Sequence, residues 1–230
     1  MSLKNGCIFY ATFEGTSNDI TGGGYSSATD TNITYNTSNG IINKGAGFNG
    51  TNSQIIYGNK IIPLGAKTIS VWIKPNSHAA FRAICGNNLV SSSAHGTEIF
   101  GTSSGASTYQ FFLGNGSGNY FNLTSPTVTD GVWNHLVCTW DGTTSANAVK
   151  FYVNAGTPTT ATSSSIETVD TLTNFTVGSA VGQDYYNGAL DSLGIWNRAL
   201  SSTEVSQLFN VGLAKDYPFG GANFFPFFFK

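Results

Sequence analysis

Between Tyr186 and Gly212 the chain reads YNGALDSLGIWNRALSSTEVSQLFNVG, a stretch that leaves little freedom of fold. Its first half alternates with period two, which sets Leu190, Ser192 and Gly194 on one side and Ala189, Asp191, Leu193 and Ile195 on the other, the pattern of a strand with two unlike faces. After Leu200, Ser201 is followed three residues later by Glu204. That is the capping-box spacing, in which hydroxyl and carboxylate each satisfy a free backbone N–H. Val205, Leu208 and Phe209 recur at helical spacing, and Gly212 is placed to end the helix in a left-handed conformation. A long strand therefore runs into one short helix, expected at about 202–211, whose apolar stripe has to dock on a sheet.

Further strands are legible upstream. In Thr68 to Pro75, Ile69, Val71 and Ile73 face one side and Ser70, Trp72 and Lys74 the other, with Pro75 closing the strand. In Trp133 to Trp140, Leu136, Cys138 and Trp140 alternate with His135, Val137 and Thr139, and Asp141-Gly142 supplies a turn. Short strands are expected at 7–13, 80–85, 98–102, 109–114, 120–124, 150–154 and 175–178, while 22–40 is too polar to read as anything but a long loop. Only 10% of residues are charged, and Gly, Ser, Thr and Asn fill the spaces between short apolar runs, as in a chain of many strands and many turns. A formal net charge of −2 leaves no electrostatic footprint for nucleic acid or an anionic membrane surface. No apolar run reaches membrane-spanning length or makes a signal peptide, so synthesis in the cytoplasm is expected. Cys7, Cys85 and Cys138 are odd in number and far apart, which predicts buried free thiols rather than a disulfide framework.

The residues Gly188, Asp191, Trp196, Asn197, Arg198, Ala199, Leu200, Ser201 and Glu204 match the segment that closes laminin-G-like, concanavalin A-like jelly-roll domains. KGAGFNGTNSQIIYG (44–58), TISVWIKP (68–75), WNHLVCTWDG (133–142) and KFYVN (150–154) appear in the order such domains show. The chain resembles that family over 6–215, with one departure: Thr51-Asn52-Ser53 stands where the family often has Asp-Asp or Asp-Tyr. The resemblance implies an all-β, two-sheet antiparallel sandwich with adjacent first and last strands and one short C-terminal helix. It implies one domain over 1–215, followed by an aromatic tail over 216–230.

Catalytic motifs are absent. Related glycosidases carry their two carboxylates on one strand as E-x-D-x-x-E, and here the twelve acidic residues are dispersed, with Glu98 alone in its strand. There is no Gly-x-Ser-x-Gly, no P-loop and no zinc spacing among the three histidines. The expectation is a protein that is not an enzyme. By resemblance, one structural calcium would be held by Asp191 together with Glu14, Asn49 and Gly50. The alternative reading of Asp191 is an acceptor of backbone amides or a partner of Arg198. Sugar recognition needs an aromatic platform beside hydroxyl-binding amides and carboxylates, and Asp184, Tyr185, Tyr186, Asn187, Asn119 and Tyr120 supply that material, unless the tyrosines pack on their own sheet. Phe224, Phe225, Phe227, Phe228 and Phe229 are too short and broken a run to span a membrane and are expected to dock into another subunit. Two functions are in play: a virion-surface or appendage decoration anchored by its tail, and a lectin-like carbohydrate-binding module of a cell surface or extracellular assembly.

Overall fold

The computed structural model describes residues 2–58, 60–78, 80–87, 95–103, 106–115, 120–163, 174–180 and 182–220; the aromatic run at 224–229 and Asn119 lie outside them. In chain order the strands are β1 (Cys7–Ala11), β2 (Ser27–Thr31), β3 (Thr34–Asn36), β4 (Gly45–Asn49), β5 (Gln54–Tyr57), β6 (Lys67–Pro75), β7 (Ala83–Gly86), β8 (His95–Gly101), β9 (Tyr109–Asn115), β10 (Tyr120–Thr124), β11 (Asn134–Trp140), β12 (Val149–Val153), β13 (Thr159–Ala161), β14 (Thr176–Val177) and β15 (Asn187–Trp196), followed by helix α1 (Ser202–Phe209). They form two antiparallel sheets. One has eight strands in the order β13-β12-β11-β6-β15-β4-β3, with β1 also paired to β15; the other has seven in the order β10-β9-β8-β7-β14-β5-β2. The first and last strands are adjacent, with Phe9 opposite Ile195 and Ala11 opposite Leu193.

The core between the sheets follows the expected alternation: Ile69, Val71 and Ile73 meet Leu136, Cys138 and Trp140 there, together with Ile99, Phe111 and Phe175. Part of the other face of the eight-stranded sheet is also buried. Tyr10, Val137, Tyr152 and Trp196 form a second cluster with Leu200, Val205, Leu208 and Phe219, because α1 and the segment after it lie across the sheet. The capping box forms in full, and Arg198 clamps it by donating to both Glu204 oxygens at 3.0 and 2.7 Å. Thr68 Oγ1 donates to the Arg198 carbonyl and receives the Leu200 N–H, tying the helix entry to β6. The sequence signature at 196–204 is thus a latch of helix to sheet. All three cysteines are free; Cys85 and Cys138 are buried.

Four expectations are corrected. First, β15 does not alternate without a break: the register to β6 shifts between Asp191 and Gly194, with Ser192 left-handed at φ 50°. This bulge places Leu193 beside Leu190 and Ile195 in the core. Gly194 faces outward, where a Cβ would lie 2.6 Å from the Trp196 ring. Second, the polar stretch 22–40 holds two strands, β2 and β3. Both lie at sheet edges, where backbone pairing alone suffices and no apolar alternation is needed. Third, α1 stops at Asn210, itself left-handed (φ 48°, ψ 47°), because asparagine tolerates that conformation. Gly212 only closes the short turn that follows. Fourth, the boundary after Lys215 falls inside a packed segment. Asp216 accepts from Ser192 Oγ at 2.6 Å and from Tyr10 OH at 3.2 Å, and the Phe219 ring sits 5.3 Å from that of Tyr10.

Candidate functional site

The seven-stranded sheet turns a different face to solvent. Cross-strand registry aligns Glu98 with Phe112 and Phe112 with Asn122, and in the next row Phe100 with Gln110 and Gln110 with Thr124. Their neighbours along each strand, Ile99, Phe111 and Leu123, are in the core, so these rows point outward. Tyr120 lies opposite Gly114, which has no side chain to separate the tyrosine from its diagonal neighbour. The Tyr120 ring accordingly stacks on Phe112 at 5.5 Å and 23°. Phe112 neighbours Phe100 at 6.5 Å, and Phe100 stacks on Phe81 at 6.5 Å and 21°. Four rings run side by side across β8, β9 and β10, and the two end ones, Phe81 and Tyr120, are 49% and 57% exposed.

This row floors an open cleft of about 400 Å³ that is also lined by Glu98, Ser103, Gln110, Asn122, Ala180 and Asp184. Asn122 Oδ1 is buried without a hydrogen-bond partner among the described residues. Burial pushes the Asp184 carboxyl above its ordinary range, and the Arg82 guanidinium pulls it back down. Glu98 is only 5% exposed, fitted against Gly86, where a Cβ would come within 2.9 Å of the Glu98 Cβ.

Of the six residues expected to touch a ligand, the structure brings Asp184 and Tyr120 into this one cleft, and Asn119 lies outside the described residues. Tyr185 is tied by its hydroxyl to the Gly182 carbonyl, and its own carbonyl receives Arg82. Tyr186 points into the core, 1% exposed, packed edge-on against Phe48. Asn187, at the start of β15, belongs to the eight-stranded sheet, and its Oδ1 accepts from Asn76 just past β6 of that same sheet. Sequence reasoning missed Phe81, Phe100 and Phe112. The outward position of Phe100 in β8 and Phe112 in β9 follows from period two, whereas Phe81 stands in the turn before β7, and nothing local reveals that three separate segments bring their rings together.

The four residues expected to hold calcium are not brought together. Asp191 Oδ2 accepts the Ile41 and Ile42 amides at 2.9 and 3.1 Å and Oδ1 accepts the Ser192 amide at 2.7 Å. Its backbone-amide role is therefore the one observed, and Arg198 is engaged by Glu204. Burial pushes the Asp191 carboxyl up to about 8, opposed by its amide donors and reinforced by Asp216. Glu14 accepts from the Lys44 amide. Asn49 Oδ1 accepts from Thr51, Asn52 and Ser53, and the Gly50 carbonyl receives the cationic Arg82. Asn49 pairs with Asn187, four residues or about 13 Å along the strand from Asp191. The set does not fit one ion, and among the described residues no group of three or more His, Cys, Asp or Glu could hold a metal. No helix of the described residues is long and apolar enough to cross a membrane.

A profile of the concanavalin A-like lectin/glucanases superfamily, Laminin_G_3, matches residues 49–206. Among solved structures, domain 4 of AbnA, a GH43 extracellular arabinanase from Geobacillus stearothermophilus, solved in complex with arabinotriose, is similar with a TM-score of 0.68 and 19% identity, covering 91% of this chain and 98% of that one. The binding domain of botulinum neurotoxin DC in complex with SialylT gives 0.68 at 13% identity, over 92% of this chain and 52% of that one. The binding domain of Paraclostridial Mosquitocidal Protein 1 gives 0.66 at 19%, over 91% and 53%. The chain spans about half the length of these two toxin chains, and at such identities the likeness is one of fold. No curated protein matches the sequence.

Proposed function

Because the chain belongs to the concanavalin A-like lectin/glucanase superfamily, we propose that it is a carbohydrate-binding module without catalytic activity, which holds a glycan chain along the ring row Phe81-Phe100-Phe112-Tyr120. That row is the observation that carries the reading. A pyranose has an apolar face about as large as a phenyl ring, so several rings side by side suit successive sugars. Gln110, Asn122 and Asp184 stand beside the row to meet hydroxyl groups. The charged residues lining the cleft, Glu98 and Asp184, are both acidic, which selects neutral sugars over anionic ones. Glycoside hydrolysis needs two carboxyl groups reaching a scissile bond from opposite sides, and the near-complete burial of Glu98 supports binding over cleavage.

A glycan array probed with the full chain, followed by calorimetry on the best neutral oligosaccharide, tests this. Tyr120→Ala and Phe81→Ala should each weaken binding about tenfold, the scale of one lost stacking contact, with no reducing ends released on long incubation. Unchanged affinity in both variants sinks the site. Release of reducing ends that stops in Asp184→Asn would replace a binding module with a glycosidase.

Attachment to a virion or another assembly rests on the phenylalanines at 224–229. Deleting 221–230 should leave folding intact and abolish co-purification with particles, and a truncated chain that still travels with them removes the decoration role.

A further inference from the structure

The outward face of the eight-stranded sheet has one region that α1 does not cover. Where β4, β15 and β6 run side by side, the outward positions are Gly47, Ala189 and Lys74, in register with one another, so the floor is nearly bare of side chains and one lysine rises from it. Edge strand β3 and the turn at Thr37–Asn39 form one wall, and the loop after β4 forms another. Together they enclose an open cleft of about 660 Å³.

The walls are amides and hydroxyls, held in place by bonds among themselves. Asn39 Nδ2 donates to the Thr34 carbonyl and hydroxyl, and Gly47 leaves it room, since a Cβ there would fall 2.2 Å from that nitrogen. Asn49 Nδ2 donates to Asn52 Oδ1 at 2.9 Å, and Asn76 Nδ2 to Asn187 Oδ1 at 3.0 Å. One end of each bonded amide is thereby fixed. The other ends, Asn39 Oδ1, Asn52 Nδ2 and Asn76 Oδ1, have no partner among the described residues, and neither has Lys74 Nζ. Side chains already ordered lose little entropy when a ligand arrives.

This inventory selects a chemistry. Amides both donate and accept, as sugar hydroxyls do. Among the described residues no exposed aromatic ring lines the cleft to stack a nucleobase, nor do they form a deep apolar pocket for a peptide side chain. A single ammonium with no carboxylate among the lining residues calls for one negative charge on the ligand. We propose that this cleft is a second saccharide site, which takes a sugar residue bearing a carboxylate, with Lys74 on the carboxylate and Asn39, Asn52 and Asn76 on neighbouring hydroxyls. It differs from the ring row in face, lining and charge, and it stands without that reading.

The test is calorimetry on the full chain with two probes, a glucuronic acid-terminated tetrasaccharide and its carboxyl-reduced counterpart. The acidic probe should bind about tenfold tighter than the reduced one, the scale of one charge-assisted hydrogen bond, and the preference should shrink as salt rises. Lys74→Gln should erase the preference. Asn52→Ala, on an exposed loop, should weaken both probes and provides the reading if the lysine variant is unstable. Phe112→Ala should leave the affinity for the acidic probe unchanged. Equal affinity for the two probes, a preference that survives Lys74→Gln, no binding of either probe at millimolar concentration, or loss of acidic-probe binding in Phe112→Ala overturns the site.

Discussion

The two sheets of the sandwich both turn aromatic rings outward, and they treat them in opposite ways. On the eight-stranded sheet Trp72, Tyr152 and Trp196 are at most 3% exposed, because α1 and the segment ending in Phe219 lie over them. On the seven-stranded sheet nothing among the described residues covers Phe81 and Tyr120, which remain 49% and 57% exposed. An outward ring is core where the chain supplies a lid and stays exposed where it does not. The eight-stranded sheet makes the same point within itself: where the lid ends, the outward positions change from rings to Gly47, Ala189 and Lys74, and the face becomes polar.

The contrast is open to breaking. Trp72 lies beside its cross-strand neighbour His135 at 4.8 Å, and Phe209 packs on both rings at 5.6 and 6.2 Å, so Trp72→Ala should cost about 3–5 kcal/mol in urea unfolding. A loss no greater than that of an exposed-ring variant would mean that α1 is not a true lid.

His135 lies under the same lid, and burial pushes it down to about 3. It stays neutral in the folded chain while the unfolded chain takes up a proton below about pH 6.5. The stability it contributes is therefore present above that pH and is lost as pH falls toward 3. Asp191, pushed up to about 8, works the other way, its contribution growing as pH falls from 8. The useful measurement is thus the difference between wild type and His135→Asn. Between pH 7.5 and pH 5 the wild type should lose about 2 kcal/mol relative to the variant. Parallel curves would mean that protons reach the imidazole and the lid is loose.

Glu204→Gln breaks the latch that carries the lid. Its carboxyl is held down at about 2, chiefly by the Arg198 hydrogen bonds, with Ser201 adding to them against burial. The substitution should cost about 1–2 kcal/mol, and the difference from wild type should vanish as pH falls from about 4.5 toward 2. A difference independent of pH would remove the charged latch from the account. The smallest effect is expected on the uncovered face, where Tyr120→Ala should change unfolding free energy by no more than about 0.5 kcal/mol while weakening glycan binding. A large loss there would show that the ring row belongs to the core, and the two faces would not differ in kind.

The sequence by itself determined the local chemistry. Alternation at Thr68 to Pro75 and at Asn134 to Trp140 marked which side chains enter the core, and the Ser201–Glu204 spacing marked where the helix starts. The closing segment identified the family. These are legible because period and capping depend on residues within a few positions of each other. The bulge at Ser192 was written less plainly: Leu190 and Leu193 stand three apart, a spacing period two cannot place on one face, and only the ladder to β6 shows how the strand absorbs the extra residue. Tertiary structure alone decided the rest. Strands β2 and β3 exist because a neighbour offers backbone partners at a sheet edge, which their polar sequences do not announce. Asp184 and Tyr120 come to line one cleft, and Phe81 reaches Phe100, because segments distant in sequence are set side by side by strand order. Whether an outward ring is covered depends on where one eight-residue helix comes to rest, and that is settled by long-range packing against Trp72, Val137 and Trp196 rather than by any pattern near the ring.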